Sequence, residues 1–154
     1  MREPFEHVVA EHGETVWRVC RGLLPQHDAE DAWSETFLAA LASWDRFEGD
    51  RVRGWLVTIA HRKALDVLRA SARIVIPEEG VPDSLVPPAG RDLDLWDALA
   101  RLAPGQRAAV VHHHLAGLPF DEVALLTGTT STAARKAASD GVRRLRTLLV
   151  LEDA

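Results

Sequence analysis

The sequence predicts an all-α chain of two small helical domains, the second holding a helix-turn-helix. Three observations carry this. Apolar residues recur at spacings of three and four through both halves. The only β-branched run, Ile74–Ile76, leads straight into Pro77. Residues 74–91 hold Pro77, Pro82, Pro87 and Pro88 with two glycines and no helical period. Repeated proline removes backbone donors and stops helices, so this stretch reads as a flexible linker between a domain at 1–73 and another at 92–154.

The elements follow in order. From Asp28 to Trp44, the residues Trp33, Phe37, Leu41 and Trp44 make one apolar helix face, while Asp28, Asp31 and Glu35 make an acidic one. A loop carrying Asp45, Arg46, Phe47, Arg51 and Arg53 comes next. From Trp55 to Arg69, Leu56, Ile59, Ala60, Ala64, Val67 and Leu68 form a second stripe, with Arg62, Arg69 and Arg73 off it. In the second half, Leu95, Leu99 and Leu102 predict a helix ending before Pro104. Pro104 suits the first turn of the next helix, which runs to about Leu115 and is closed by Gly117. A short helix from about Pro119 to Thr127 stops at Gly128. A longer one runs from about Ser131 to Val150 with Thr130 as N-cap and Ala134, Ala138, Val142, Leu145 and Leu149 inward.

Composition removes several classes of function. A chain of 154 residues with 47% hydrophobic content is neither disordered nor, lacking any apolar run near the ~18 residues of a membrane helix, membrane-inserted. The N-terminal segment has no apolar core and does not read as a signal peptide. A single cysteine, Cys20, excludes an internal disulfide and a cysteine metal cluster. The expectation is a cytoplasmic protein. A formal charge of −5 argues against binding nucleic acid over the whole surface, but residues 61–73 and 135–146 are locally basic and 28–35 acidic.

Four constellations could carry function. The helix–glycine–helix segment ending in Ser131, Thr132, Arg135, Lys136, Ser139 and Arg143 can be a DNA-reading helix-turn-helix, whose second helix presents donors to phosphates and base edges. It can also be a helical hairpin with a solvated charged face. The acidic stripe is either a solvated face or a docking surface for a basic partner. Trp44, Phe47 and Trp55 flank a loop rich in arginine and either stack on unpaired bases or anchor helix ends, with Trp44 and Trp55 mainly in the core. His112, His113 and His114 point about 100° apart on a helix and cannot converge on one ion. They read as surface or interdomain histidines, and no metal or other cofactor is expected.

Taken together, DAEDAWSETFLAAL, FEGDRVRGWLVTIAHRKALDVLR and LARLAPGQRAAVVHHHLAGLPFDEVALLTG with its basic helix resemble the bacterial RNA polymerase sigma factors of the extracytoplasmic-function type. The resemblance covers nearly the whole chain. It implies a region 2 at 1–73 and a region 4 at 92–154, and a promoter-recognition subunit that is not itself an enzyme. By position, it implies that Asp28, Asp31, Ser34, Glu35, Phe37 and Leu38 meet the clamp helices of the polymerase β′ subunit. It implies −10 contacts for Trp44, Asp45, Arg46, Phe47, Arg51, Arg53, His61, Arg62, Lys63 and Arg69, with the loop at about 45–53 capturing a flipped base. Region 4 would read the −35 element through Ser131, Thr132, Arg135, Lys136, Ser139 and Arg143, and would also meet the β flap. An anti-sigma protein is a further implied partner. The sequence departs from the family at Ser34, Ala137 and Asp140. Asp140 is expected to repel phosphate, and Gly141 to interrupt the recognition helix. The alternative is a sigma-like helix-turn-helix regulator that does not direct initiation.

Overall fold

In the computed structural model, which describes residues 3–73 and 94–150, the first helix is α1 (Phe5–Leu23). Glu6 in its first turn and Arg21 in its last complement the helix dipole. Val8, Val16, Val19 and Cys20 face inward and are fully buried. Each such aliphatic side chain contributes roughly 1.5–3 kcal/mol. Burial pushes the Cys20 thiol up to about 12, which leaves it a packing residue and not a nucleophile. The linker expected at 74–91 lies outside the described residues.

Helix α2 (Gln26–Ser43) follows Pro25 and passes into a 3-10 turn at Trp44–Arg46. Its inward stripe keeps the expected Phe37 and, in the turn that follows, Trp44, but departs from expectation at Leu41. Ala29, Ala32, Thr36, Phe37 and Ala40 are buried, whereas Leu41 is exposed. Small residues let α2 lie close against α1 and α3, and that closeness turns Leu41 outward. Trp33 bridges the pair by donating Nε1–H to the Gly13 carbonyl at 2.9 Å. The buried Thr36 hydroxyl donates to the Ala32 carbonyl at 2.7 Å, so no polar atom is stranded there. Helix α3 (Val52–Arg73) completes the first bundle with Leu56, Val57, Ala60 and Ala64 buried.

The second half opens with α4 (Leu95–Ala100), capped by the Asp94 carboxylate, which accepts from the Asp97 backbone N–H at 2.9 Å. Pro104 stands at the start of α5 (Pro104–Val110), which runs into a π-helical turn at Val111–Leu115. Gly117 reverses the chain at φ 75°. Helix α6 (Phe120–Thr127) ends on Gly128 at φ 68°, a left-handed conformation that costs glycine nothing. Helix α7 (Ser131–Val150) starts where expected: the Thr130 hydroxyl accepts from the Ala133 N–H at 3.1 Å. No strand occurs among the described residues.

Gly141 does not interrupt α7. The helix is continuous, and its buried positions are Ala134, Ala138, Gly141, Leu145 and Leu148. The glycine sits where α7 crosses α5. A Cβ there would stand 2.7 Å from a Val110 methyl and 3.3 Å from the Gln106 carbonyl oxygen. Alanine would gain about 1 kcal/mol of helix propensity against an overpacking cost of roughly 1–3 kcal/mol. Gly141→Ala is therefore expected to destabilise the protein, by about 1 kcal/mol, and to lower the thermal midpoint by a few degrees. A midpoint unchanged or raised would show that α5 and α7 separate freely.

Candidate protein and nucleic-acid interfaces

On α2 the buried stripe leaves a second face outward. Asp31, Ser34, Glu35, Leu38 and Leu41 are all exposed at helical spacing, Leu38 at 65% and Leu41 at 54%. Asp28 is half-buried at one end of it. Two carboxylates beside two bare leucines on a rigid helix suit a partner that is basic at its rim and apolar at its centre. Phe37 is buried and supports this face from beneath without reaching its surface.

The turn after α2 is built on stacked aromatics. Phe47 lies on Trp55 with ring centres 4.3 Å apart, and Trp44 lies 6.0 Å from Trp55 and 5.9 Å from Phe47. Trp44 is buried and donates its indole N–H to the Glu3 carbonyl at 3.3 Å, which fits the core-anchor reading. Gly49 rests against the Phe47 ring, where a Cβ would stand at 3.0 Å. Beside this stack lies an open cleft of about 470 Å³ bounded by Glu3, Trp44, Phe47, Glu48, Gly49 and Val52. Asp45, Arg46, Arg51 and Arg53 are exposed around it, as are Arg62 and Arg69 further along α3, with Lys63 half-buried.

His61 departs from the expected exposed DNA contact. It is buried, and its Nδ1 lies 2.8 Å from Nε2 of His112, a residue of the second half. Arg51 is ion-paired with Glu122. The two halves thus share a contact surface.

The helix-turn-helix forms as the sequence predicts, with Val123 and Ala134 buried between α6 and α7. Ser131 is half-buried, and Thr132, Arg135, Lys136 and Ser139 are exposed on α7. Two details were not legible in the sequence. The Arg135 guanidinium lies over the Phe120 ring, 4.8 Å from its centre, and that ring stacks on His113 at 3.8 Å. His113 is in turn held by its Nδ1, 2.8 Å from the Leu118 carbonyl. Arg135 therefore rests on a fixed aromatic platform. Asp140 is not a bare repulsive charge. It pairs with Lys136 at 2.7 Å and with Arg143 at 3.4 Å, and the Lys136 hydrogen bond holds its carboxyl below the ordinary range. Its effect is to occupy two cations.

Among the described residues, no group of three or more His, Cys, Asp or Glu side chains is placed to hold a metal ion, and no helix is long and apolar enough to cross a membrane.

Comparison with known proteins agrees across the chain. Residues 8–74 match Sigma-70 region 2, and residues 92–145 match Sigma-70, region 4. The chain is 35% identical to the RNA polymerase sigma factor CarQ of Myxococcus xanthus over 96% of its own length and 90% of that protein's. It is 30% identical to the ECF RNA polymerase sigma factor SigE of Mycolicibacterium smegmatis, over 94% of this chain and 61% of SigE. Among solved structures, CnrH in complex with the cytosolic domain of CnrY aligns with a TM-score of 0.67 and 25% identity, over 96% of this chain and 88% of CnrH. The sigma factor RpoE of Bartonella quintana, solved with the anti-sigma factor NepR, shares the fold at a TM-score of 0.76 and 23% identity, covering 96% of this chain and 98% of that one. With both region profiles matched in order and a relative aligned nearly end to end, the chain belongs to the extracytoplasmic-function sigma factors, the subunits that direct bacterial RNA polymerase in transcription initiation.

Proposed function

We propose that this chain divides initiation among three surfaces. The exposed face of α2, with Asp28, Asp31, Ser34, Glu35, Leu38 and Leu41, docks on the clamp helices of core polymerase. Phe37 holds that face from below. The turn at 45–53 and the basic side of α3 engage the −10 element. Helix α7 reads the −35 element through Ser131, Thr132, Arg135, Lys136, Ser139 and Arg143, and the region around it meets the β flap. The observation that carries this reading is the pairing, on one chain, of an acidic and apolar helix face with an N-capped recognition helix whose arginine rests on an aromatic platform.

The cleft beside Phe47 is the proposed seat of the captured base. Its aromatic wall offers a stacking surface, and Glu48 can accept from an exocyclic amine. Melting in this scheme needs no catalytic residue, since a captured base stabilises the open strand by binding alone. The chain is proposed not to be an enzyme, and to work in the cytoplasm, where polymerase and promoter meet.

Residues 1–73 and 92–154 are proposed as the two functional units, with 74–91 as the tether. The 20 residues between Arg73 and Asp94 can reach about 70 Å at full extension, enough to serve two separated promoter elements. A protein antagonist belongs among the proposed partners, since CnrH was solved with a domain of CnrY bound.

The test of the assignment is run-off transcription with purified core polymerase on candidate promoters. Transcripts that depend on both an upstream and a −10 sequence are the expected result, and transcripts indifferent to the upstream sequence would remove the −35 role. Asp140 gives a finer check. Asp140→Asn should release Lys136 and Arg143 for phosphate, tightening promoter binding several-fold and steepening its salt dependence. Unchanged affinity at both low and high salt would mean that neither cation faces DNA.

A further inference from the structure

A second cavity lies away from the cleft beside Phe47, among α1, α3, α4 and α5, with a volume of about 260 Å³. Leu23, His61, Ala64 and Leu102 are buried and form its floor. Leu68, Ala100 and Pro104 are exposed and mark its mouth. Apart from His61 and Arg107, every side chain of the lining is apolar.

Arg107 is the unusual member. It is half-buried, and its Nε–H is taken up by the Gly22 carbonyl in the last turn of α1, at 2.6 Å. The four N–H groups on its two Nη atoms remain for other partners. Among the described residues no carboxylate is ion-paired with it. The nearest charge makes matters worse. Burial and then the neighbouring Arg21 both lower Arg107 from the ordinary guanidinium value. Arg21 in turn donates to the Leu24 carbonyl at 3.1 Å and lies 5.6 Å from the centre of the Trp96 ring, with no anion beside it among the described residues.

A guanidinium keeps its proton in a protein, so two positive charges stand together at the edge of an apolar cavity. A charge withdrawn from water without a counter-ion is costly, and an anion seated in the cavity offsets that cost.

The lining narrows the kind of anion. Burial holds His61 below the ordinary imidazole value, so at neutral pH it is an uncharged wall. Arg107 is then the single cation of the lining, and a guanidinium takes one carboxylate through two parallel hydrogen bonds. A phosphate dianion needs more donors than the leucine walls offer. Leu23, Leu65, Leu68 and Leu102 suit an alkyl chain instead. The volume falls just below the usual ligand-pocket range of about 300–1,000 Å³, so that chain is short.

We propose that this cavity is a binding site for an amphipathic monocarboxylate, a medium-chain fatty acid of about eight carbons, with its carboxylate on Arg107 and its alkyl chain against Leu23, Leu65 and Leu102. The site is separate from the surfaces assigned to polymerase and promoter. Of its lining only His61 had been expected at DNA, and that ring is buried. The proposal therefore does not rest on how the promoter is read.

The test is calorimetric titration of the full chain with octanoate, paired with thermal unfolding. Saturable binding at one site per chain is expected, with a rise of a few degrees in the thermal midpoint. Octylamine carries the same tail with a positive head and should not bind, because it sets a cation against Arg107. Acetate should not bind either, since it leaves the leucine walls uncovered. Ala100→Trp fills the mouth from an exposed position and leaves Arg107 in place, so it should abolish octanoate binding with helical content kept. Arg107→Gln should weaken octanoate at least tenfold, and Arg107→Lys, which keeps the charge, should restore part of that loss. The absence of saturable binding in the millimolar range would overturn the site. So would octylamine binding as tightly as octanoate, or octanoate binding that survives Ala100→Trp. Run-off transcription judges the sigma assignment separately, because the titration needs neither polymerase nor DNA.

Discussion

Reversing Asp31 and Glu35 together to lysine is expected to abolish capture of core polymerase, a loss of at least ~100-fold or about 3 kcal/mol. Both side chains are exposed on α2, and neither takes part in the buried stripe of Ala29, Ala32, Thr36, Phe37 and Ala40. The helical signal by circular dichroism should therefore stay unchanged. The size follows from sign: the double change removes two attractions and sets two cations against a basic partner surface, and like charges across an interface cost several kcal/mol. Leu38→Ala should add to the loss by truncating the exposed apolar centre, while Phe37→Ala should act by unfolding, since that ring is buried and touches Phe5 and Trp33. A pull-down in which the double reversal retains core polymerase would remove α2 as the docking element.

Arg135→Ala is expected to carry the second large effect. A bidentate arginine contact to guanine supplies roughly 1–3 kcal/mol of discrimination. The holoenzyme should lose that preference at one upstream base pair while keeping most of its affinity for other sequences. The Phe120 platform sharpens the test. Phe120→Leu removes the ring beneath the guanidinium and should reproduce part of the loss of preference, whereas Phe120→Tyr keeps the ring and should restore it. Lys136→Ala should weaken binding to all sequences alike, and only slightly, because Asp140 already holds that ammonium. If Arg135→Ala and Phe120→Leu both discriminate upstream sequences as the parent does, α7 does not read bases through its N-terminal turns.

Apart from α1, which was not among the elements read from the sequence, the helices announced themselves locally. Pro104 and Thr130 opened α5 and α7, and Gly128 closed α6, because capping and left-handed turns are properties of a few adjacent residues. The helix-turn-helix and the ordered family motifs were legible for the same reason. The periodicity of α2 was read correctly as helical and Phe37 and Trp44 are buried as expected, but Leu41 is exposed and Ala40 buried, because a hydrophobic pattern ranks Leu41 above Ala40. Only the close approach of α1 and α3 decides that the small residues go in. Gly141 looked like a helix breaker and is instead the crossing point of α5 and α7, a fact that depends on where Val110 lies.

Beyond the reading of His112, His113 and His114 as surface or interdomain histidines, nothing local pointed to the contacts between the halves. Arg51 and Glu122 are 71 residues apart, Gly22 and Arg107 85, and His61 and His112 51. Side chains at such separations share no helical period, so composition and spacing carry no record of their meeting. The sequence by itself determined the helices after α1, several of their caps and the order of the family motifs, which arise from short-range backbone and capping physics. Only the tertiary structure decided which of those surfaces face outward, because burial is set by the packing of whole helices against one another.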